Sequence, residues 1–418
     1  MDETKKLVSF KDDDLSDTSH KGASIFSSTV NLTNSIVGAG VLTLPHAFLD
    51  TGAALGILLL VFVAFFSSCS MYFLAVCCEI TDRFSFKAIG KKAMGNSMGY
   101  VVEAIVGVTT IGSCIIFCVL LGDFAPSLTN QLLSSSPKYL LDRTSLLLLI
   151  TVFILVPLAL LPKLDKLRYT SAAAMACFLY LVGVTIYRYF TNTFPPPSDS
   201  TFMWVNISKD IFLAIPLISI AFTAHYNVCP LYKELSKRTP RRFMVCVFGS
   251  VSFSLFFYSV MGITGYASFR GDTMGNIVQN YGSGDVLIII ARIGVSVTLA
   301  FSFPMAFFAC RTAFENCFLS DPHPHWGRQC LMVFVLVPGV VTISILEKRV
   351  ENVIRLTGST TGMFVTFILP AVFFLRLSGK LECGWRTVMK KSVAVINVLL
   401  GLIFLYFGTT NAWKQFYE

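Results

Sequence analysis

Asn31-Leu-Thr-Asn34-Ser35-Ile-Val37-Gly38-Ala39-Gly40-Val-Leu-Thr-Leu44-Pro45 is the stretch whose reading decides the fold. It lies in an apolar run, 26–49, long enough to cross a bilayer at about 20 residues per span. Two Gly and one Pro fall within the eight residues from Gly38 to Pro45. Each Gly costs a helix interior about 1 kcal/mol and Pro about 3. In lipid, irregular backbone is tolerated only where it is buried in protein or lines a cavity. Ser27, Asn31, Asn34, Ser35 and Gly38 recur at three- and four-residue spacing and form one polar stripe. Small residues set for close helix packing are one reading of this cluster. An unwound span lining a site is the other.

The surroundings are those of a membrane protein. Of 418 residues, 54% are apolar and 14% charged, and the mean hydropathy is +0.69. A soluble chain carries nearer a quarter charged residues. The roughly 226 apolar residues suffice for about ten to twelve spans, which excludes a soluble enzyme and a large folded domain outside the membrane. The net charge of +9 is explained by loop asymmetry, with no need of nucleic acid. Twelve cysteines without a CxxC pair give neither a disulfide framework nor a zinc site.

Long apolar runs bounded by charge predict eleven spans: 26–49, 53–78, 99–121, 144–161, 169–190, 209–230, 243–267, 286–310, 329–346, 352–375 and 391–411. Residues 1–25 read as a disordered cytosolic tail, 26–411 as the transmembrane domain and 412–418 as an outward or luminal tail. Lys and Arg divide 23 to 8 between the two sides, which places the N-terminus in the cytosol and the C-terminus outside or in a lumen. Residues 82–98 read as an amphipathic stretch at the cytosolic surface. Asn206-Ile-Ser208 is a glycosylation sequon on the outward side.

The sixth run is irregular like the first. It holds Pro216, Ser219, Phe222-Thr223-Ala224-His225-Tyr226-Asn227 and Pro230. Irregularities in spans one and six match a five-plus-five inverted repeat, about 26–190 and about 209–375, with 391–411 as an extra helix. Carriers built this way place their site at midplane between the two broken helices. Free N–H groups at an unwound helix start suit an anion such as a carboxylate, and unwound carbonyls suit a small cation. In span eight, Thr298 and Ser302 sit one turn apart before Pro304, which is expected to interrupt that helix. Their hydroxyls either complete an oxygen cage for Na⁺ or bond back to the carbonyl four residues earlier. His225 serves proton coupling or anchors the irregular segment. Glu103 in span three is an intramembrane carboxylate close enough to the cytosolic edge to reach it. His46 is placed to line the outer vestibule, and Arg292 to reach the interface.

The first stretch resembles the first helix of the amino acid/auxin permease family. It is most similar to solute carrier family 38, the sodium-coupled neutral amino acid transporters. Phe222-Thr-Ala-His225-Tyr-Asn227 is similar to that family's Phe-x-Cys-His signature in helix six. Phe269 to Tyr281, Pro304 with Arg311, and Gly358-Ser-Thr-Thr-Gly362 with Phe367 through Pro370 resemble its later elements, in order. The resemblance implies an all-α multi-pass membrane protein of LeuT-type fold. It places the substrate α-carboxylate at the N–H groups of Gly38, Ala39 and Gly40, and the α-amino group at carbonyls near Phe222 and Thr223. It assigns the coupling ion to Asn34, the Val37 carbonyl and Ser302, with Thr298 nearby. Two features depart from the family: Ala224 stands where the signature has Cys, and segments 123–143 and 191–208 contain no Cys. Proton-coupled and vacuolar or lysosomal members therefore stay open beside the plasma-membrane sodium-coupled branch.

The expectation is a monomeric secondary transporter of small neutral amino acids, driven by Na⁺ or H⁺. Its partners are the amino acid, the ion and the bilayer, and no cofactor is needed beyond Na⁺ as a coupling ion. An amino acid sensor that binds but transports slowly is the alternative. A membrane enzyme lacks support, since HExxH does not occur and no acidic residues cluster inside the spans.

Overall fold

A computed structural model of the chain describes residues 22–132, 142–161, 170–194, 197–198, 201–318, 326–380 and 384–417. Most of the expected tail, residues 1–21, lies outside them. In sequence order the helices are α1 (Ile25–Ile36), α2 (Leu44–Thr51), α3 (Ala53–Thr81), α4 (Phe86–Met94), α5 (Asn96–Leu132), α6 (Arg143–Ile150), α7 (Val156–Ala159) and α8 (Thr170–Thr191). They continue as α9 (Ile211–Ala221), α10 (His225–Glu234), α11 (Pro240–Phe269), α12 (Val286–Phe318), α13 (Trp326–Leu346), α14 (Val350–Thr357), α15 (Leu369–Leu377) and α16 (Trp385–Tyr417).

Among the described residues, nine helical spans are long and apolar enough to cross a membrane. A tenth is the first span, whose halves meet at 47°. The expected fourth span is the shorter apolar segment Arg143–Ala159, with a π-helical turn at Thr151–Leu155 between α6 and α7. The count is thus ten by length, with a short segment where the eleventh was expected. Span ends shift mainly outward: α5 runs to Leu132 and α16 to Tyr417, so the expected tail 412–418 is largely a helical continuation. The stretch at 82–98 forms α4, whose start is capped by Ser85 Oγ accepting from Ala88 N–H at 3.2 Å. Phe86 and Ile89 bury its apolar face.

The packing has the pseudo-symmetry of an inverted repeat. Span one lies on span seven (α1 and α2 on α11), as span six lies on span two (α10 on α3). Span three contacts span ten (α5 with α14), as span eight contacts span five (α12 with α8). Spans three and eight, α5 and α12, cross each other extensively. α16 lies outside this pattern, against α9, α14 and α15.

The outer faces carry large exposed apolar side chains such as Phe153, Phe190, Phe248 and Phe334, as a lipid-facing surface requires. All four Trp (204, 326, 385 and 413) are exposed and sit near span ends, the position of an interfacial aromatic belt. At the end of the bundle opposite the basic loops, residues 203–206 cap the start of α3. Met203 O accepts from Ala53 N–H at 3.1 Å, and Trp204 O from Ala54 N–H at 2.8 Å. Asn206 Nδ2, the atom a glycan would occupy, donates to Asp50 O at 3.1 Å. At the basic end, Ala23 pairs with the end of α10: its N–H donates to Glu234 O at 2.8 Å and its carbonyl accepts from Ser236 N–H at 3.0 Å. Residues 22–24, read as tail from sequence, are therefore part of the folded bundle.

Candidate functional site

The first span breaks where the glycines predicted. The last bond of α1 is Val37 N–H to Thr33 O, 2.7 Å. Val37 and Gly38 are extended, and the chain resumes as a 3₁₀ turn, Ala39–Thr43. That turn's first bond is Val41 N–H to Gly38 O, a long 3.4 Å. The N–H groups of Gly38, Ala39 and Gly40 precede it and have no carbonyl of their own turn to meet. Pro45 occupies the first turn of α2, where its missing N–H costs nothing.

The two predicted glycines differ in role. A Cβ on Gly38 would meet nothing within 4 Å, whereas one on Gly40 would lie 2.8 Å from Ala221 Cα. Gly40 therefore lets the first break press against the end of α9, at the second break. Gly38 faces open space.

The second break is Phe222-Thr223-Ala224, between α9 and α10. Unlike the first, it interrupts the hydrogen bonding without splitting the span, which continues from Ile211 to Glu234. Thr223 Oγ1 lies 2.7 Å from Ser219 O and 2.8 Å from Thr366 Oγ1. Phe222 O accepts from Ser67 Oγ at 3.3 Å. Asn227 Nδ2 donates to Ser35 Oγ at 3.2 Å, which ties α10 to α1.

Three contributors escaped sequence reasoning. Tyr258 on α11 places its fully buried hydroxyl 2.9 Å from Ile36 O and 3.0 Å from Ala221 O. One hydroxyl thus joins the carbonyl ends of both broken helices. Ser67 belongs to a Ser67-Ser68-Cys69-Ser70 run inside apolar α3, a polar interruption that sequence reading could have flagged. Thr366 sits in the π-helical turn Phe364–Ile368, which follows a similar turn at Gly358–Gly362. Such turns recur at functional sites, and their sequences carry no helix-breaking signal beyond two glycines. We expect Tyr258→Phe to lower the maximal uptake rate several-fold with little change in protein amount, because ring packing against Phe222 (centroids 5.3 Å apart) survives. Uptake rates normalised to purified protein check this.

The remaining predicted residues lie on several helices. Asn34 and Val37 are half-buried at the end of α1. Thr298 Oγ1 donates back to Gly294 O at 2.9 Å, the second of its two expected alternatives. α12 is continuous through Pro304, so span eight is kinked at most, not interrupted as its Pro suggested. It packs chiefly on α5 and α8, while α1 packs on α11, α10 and α8. Both α1 and α12, which carry the expected ion ligands, pack on α8. His225 opens α10, fully buried, and neither ring nitrogen meets a hydrogen-bond partner among the described residues. Glu103 is half-buried on α5. His46 is half-buried, and its Nδ1 is 2.9 Å from Thr273 O, holding the loop after α11 against α2. Arg292 does not reach the interface. It is 4% exposed, because residues 277–281 fold over it and accept its Nη2 protons at Val278 O and Tyr281 O, 3.0 and 2.9 Å.

Two interrupted spans pressed together at their breaks, inside a pseudo-symmetric bundle, define a carrier of LeuT type. The family model described as "Transmembrane amino acid transporter protein" matches residues 21–413, and the chain belongs to that family. It is 29% identical over 371 residues to "Vacuolar amino acid transporter 5" of Schizosaccharomyces pombe, covering 86% of each chain. It is 24% identical over 412 residues to "Sodium-coupled neutral amino acid symporter 2" of Danio rerio, covering 92% of this chain and 80% of that one. Among solved structures it is similar to two of an Eremococcus coleocola manganese transporter. Their TM-scores are 0.52 and 0.55 at 14% and 16% identity, covering 92% and 90% of this chain and 86% and 85% of theirs. At that identity the likeness carries the fold alone. The protein is a multi-pass membrane transporter and not an enzyme.

Proposed function

We propose that the chain moves small neutral amino acids across its membrane by alternating access, coupled to Na⁺ or H⁺, with the two breaks holding the solute. The observation that carries this is the contact of Gly40 with Ala221. It sets three free N–H groups, at the positive start of one half-helix, beside the carbonyl ends of α1 and α9. An α-carboxylate suits the first and an α-ammonium the second. Asn34 and the Val37 carbonyl supply oxygens for the coupling cation, with Ser302 as a third and Thr298 nearby. His225 is the candidate proton carrier if H⁺ is the driver. The chain acts as a monomer with no organic cofactor, its N-terminus cytosolic, in a plasma, vacuolar or lysosomal membrane.

The test is uptake of a labelled amino acid panel into proteoliposomes under an imposed gradient. Na⁺ is replaced by choline at fixed pH, and pH is then varied at fixed Na⁺. Absence of gradient-driven uptake across the panel would sink the proposal, and binding without uptake would favour a sensor. Within this scheme, Asn34→Ala is expected to raise the apparent KM for the coupling ion about tenfold or more while expression holds. Unchanged ion dependence would move the ion site elsewhere.

A further inference from the structure

A second polar pocket lies at the end of the bundle opposite the basic loops, away from both breaks. It is a cavity of about 240 Å³ lined by Asp123, Phe124, Ser127, Gln279, Tyr281, Ser283 and Arg292. That is below the roughly 300 Å³ at which pockets begin to take drug-sized ligands, so it suits a small molecule. Gln279 and Ser283 are exposed and form its rim, and Arg292 and Phe124 are buried in its wall.

The charges of the two walls differ in how they are satisfied. Asp123, with its side chain 5% exposed, accepts from Arg143 Nε at 3.2 Å and from Asn276 Nδ2 at 3.5 Å. Arg143 is held in turn by Ser344 O and Val119 O, at 3.1 and 3.3 Å. A carboxylate offers about four acceptor sites, so Asp123 keeps capacity toward the cavity. Arg292 faces the same cavity without a carboxylate. Its Nη2 is spent on two loop carbonyls, while its Nη1 has no partner and the side chain enters no ion pair among the described residues. A buried guanidinium left half-satisfied is unfavourable unless something anionic completes it. Carboxylates do so well, by accepting from the planar fork.

We propose that this pocket is a binding subsite for a small carboxylate, with the Arg292 guanidinium taking the carboxylate and Asp123 the ammonium of a free amino acid. An amino acid seated there would wait at the mouth of the bundle, before or after residence at the breaks. The identity of the solute rests on the transport reading above, whereas the carboxylate preference rests on the pocket alone.

The experiment uses the full purified chain in detergent, with Gly38→Val to block the break and leave this pocket as the remaining site. Labelled L-alanine is the probe, with L-alanine methyl ester, acetate and chloride as competitors. Gly38→Val should still bind L-alanine, acetate should compete, and the methyl ester, lacking a carboxylate, should not. Adding Arg292→Gln should raise the Kd tenfold or more. Ser283→Glu, on the exposed rim where folding is not at stake, should do the same by placing a fixed carboxylate near the guanidinium. Equal binding with and without these substitutions would overturn the proposal, as would no binding of L-alanine to Gly38→Val or competition by chloride or the methyl ester equal to that by acetate. Wild-type protein that lacks gradient-driven uptake yet shows Arg292-dependent binding would sink the transport reading and leave this one standing.

Discussion

Gly38→Val is expected to abolish amino acid uptake while the chain still inserts, folds and purifies as a single species. The backbone at Gly38 is extended, φ −134° and ψ −153°, a conformation that β-branched residues accept. The added Cβ meets nothing within 4 Å, so no neighbouring atom has to move. The side chain enters the space that a solute approaching the N–H groups of residues 38–40 would need. Gly40→Val should fail by another route. Its Cβ would press to 2.8 Å on Ala221 Cα, which is backbone and cannot swing aside. Overpacking of that kind costs about 1–3 kcal/mol, so the melting temperature and yield should fall along with uptake. Melting curves and uptake measured on the same preparations separate the cases. Normal uptake by Gly38→Val would remove the first break from the substrate path.

That contrast also marks how far the sequence carried. The first break was legible because Gly38, Gly40 and Pro45 are individually hostile to a helix and stand together in an apolar run. Which glycine faces the solute was not, since both look alike until Ala221 arrives from 180 residues downstream. Span six was legible from Pro216 and the polar run at 222–227, yet its break proved gentler, because Thr223 bonds back to Ser219 and across to Thr366. Tyr258 was invisible: a tyrosine in a Phe-rich helix has no signature until two carbonyl ends converge on its hydroxyl. Arg292 was misplaced for a similar reason. A basic residue one to two turns into a span reads as reaching for the interface, and only the fold of 277–281 shows that protein carbonyls reach it first. Pro304 misled in the opposite direction, since long transmembrane helices absorb a proline when neighbours satisfy the freed backbone groups. The breaks, then, were local properties of the chain, whereas what braces them is long-range and depends on packing.

The bracing that should matter most is the buried ion pair of Asp50 and Arg355. Arg355 Nη2 lies 2.5 Å from Asp50 Oδ2, with the side chains 2% and 12% exposed, and its Nη1 donates to Gln415 Oε1 at 2.6 Å. The three residues belong to α2, α14 and α16, so the pair joins the far half of the broken first span to span ten and to the extra helix. Arg355→Met should leave the buried Asp50 carboxyl without its guanidinium partner. Breaking a buried pair from one side costs about 3–5 kcal/mol, because the surviving charge keeps its desolvation penalty without its partner. Replacing both members is milder, since neither charge is then stranded. The expected order of melting temperature is therefore wild type, then Asp50→Asn with Arg355→Met, then Arg355→Met alone. Salt should change this order little, because a pair this buried is poorly screened. Equal damage from the single and the double substitution would show that Arg355 works through Gln415 and not through Asp50. Recovery of stability in the double variant without recovery of uptake would show that the charge pair, beyond holding α2 against α14, sets when the two part.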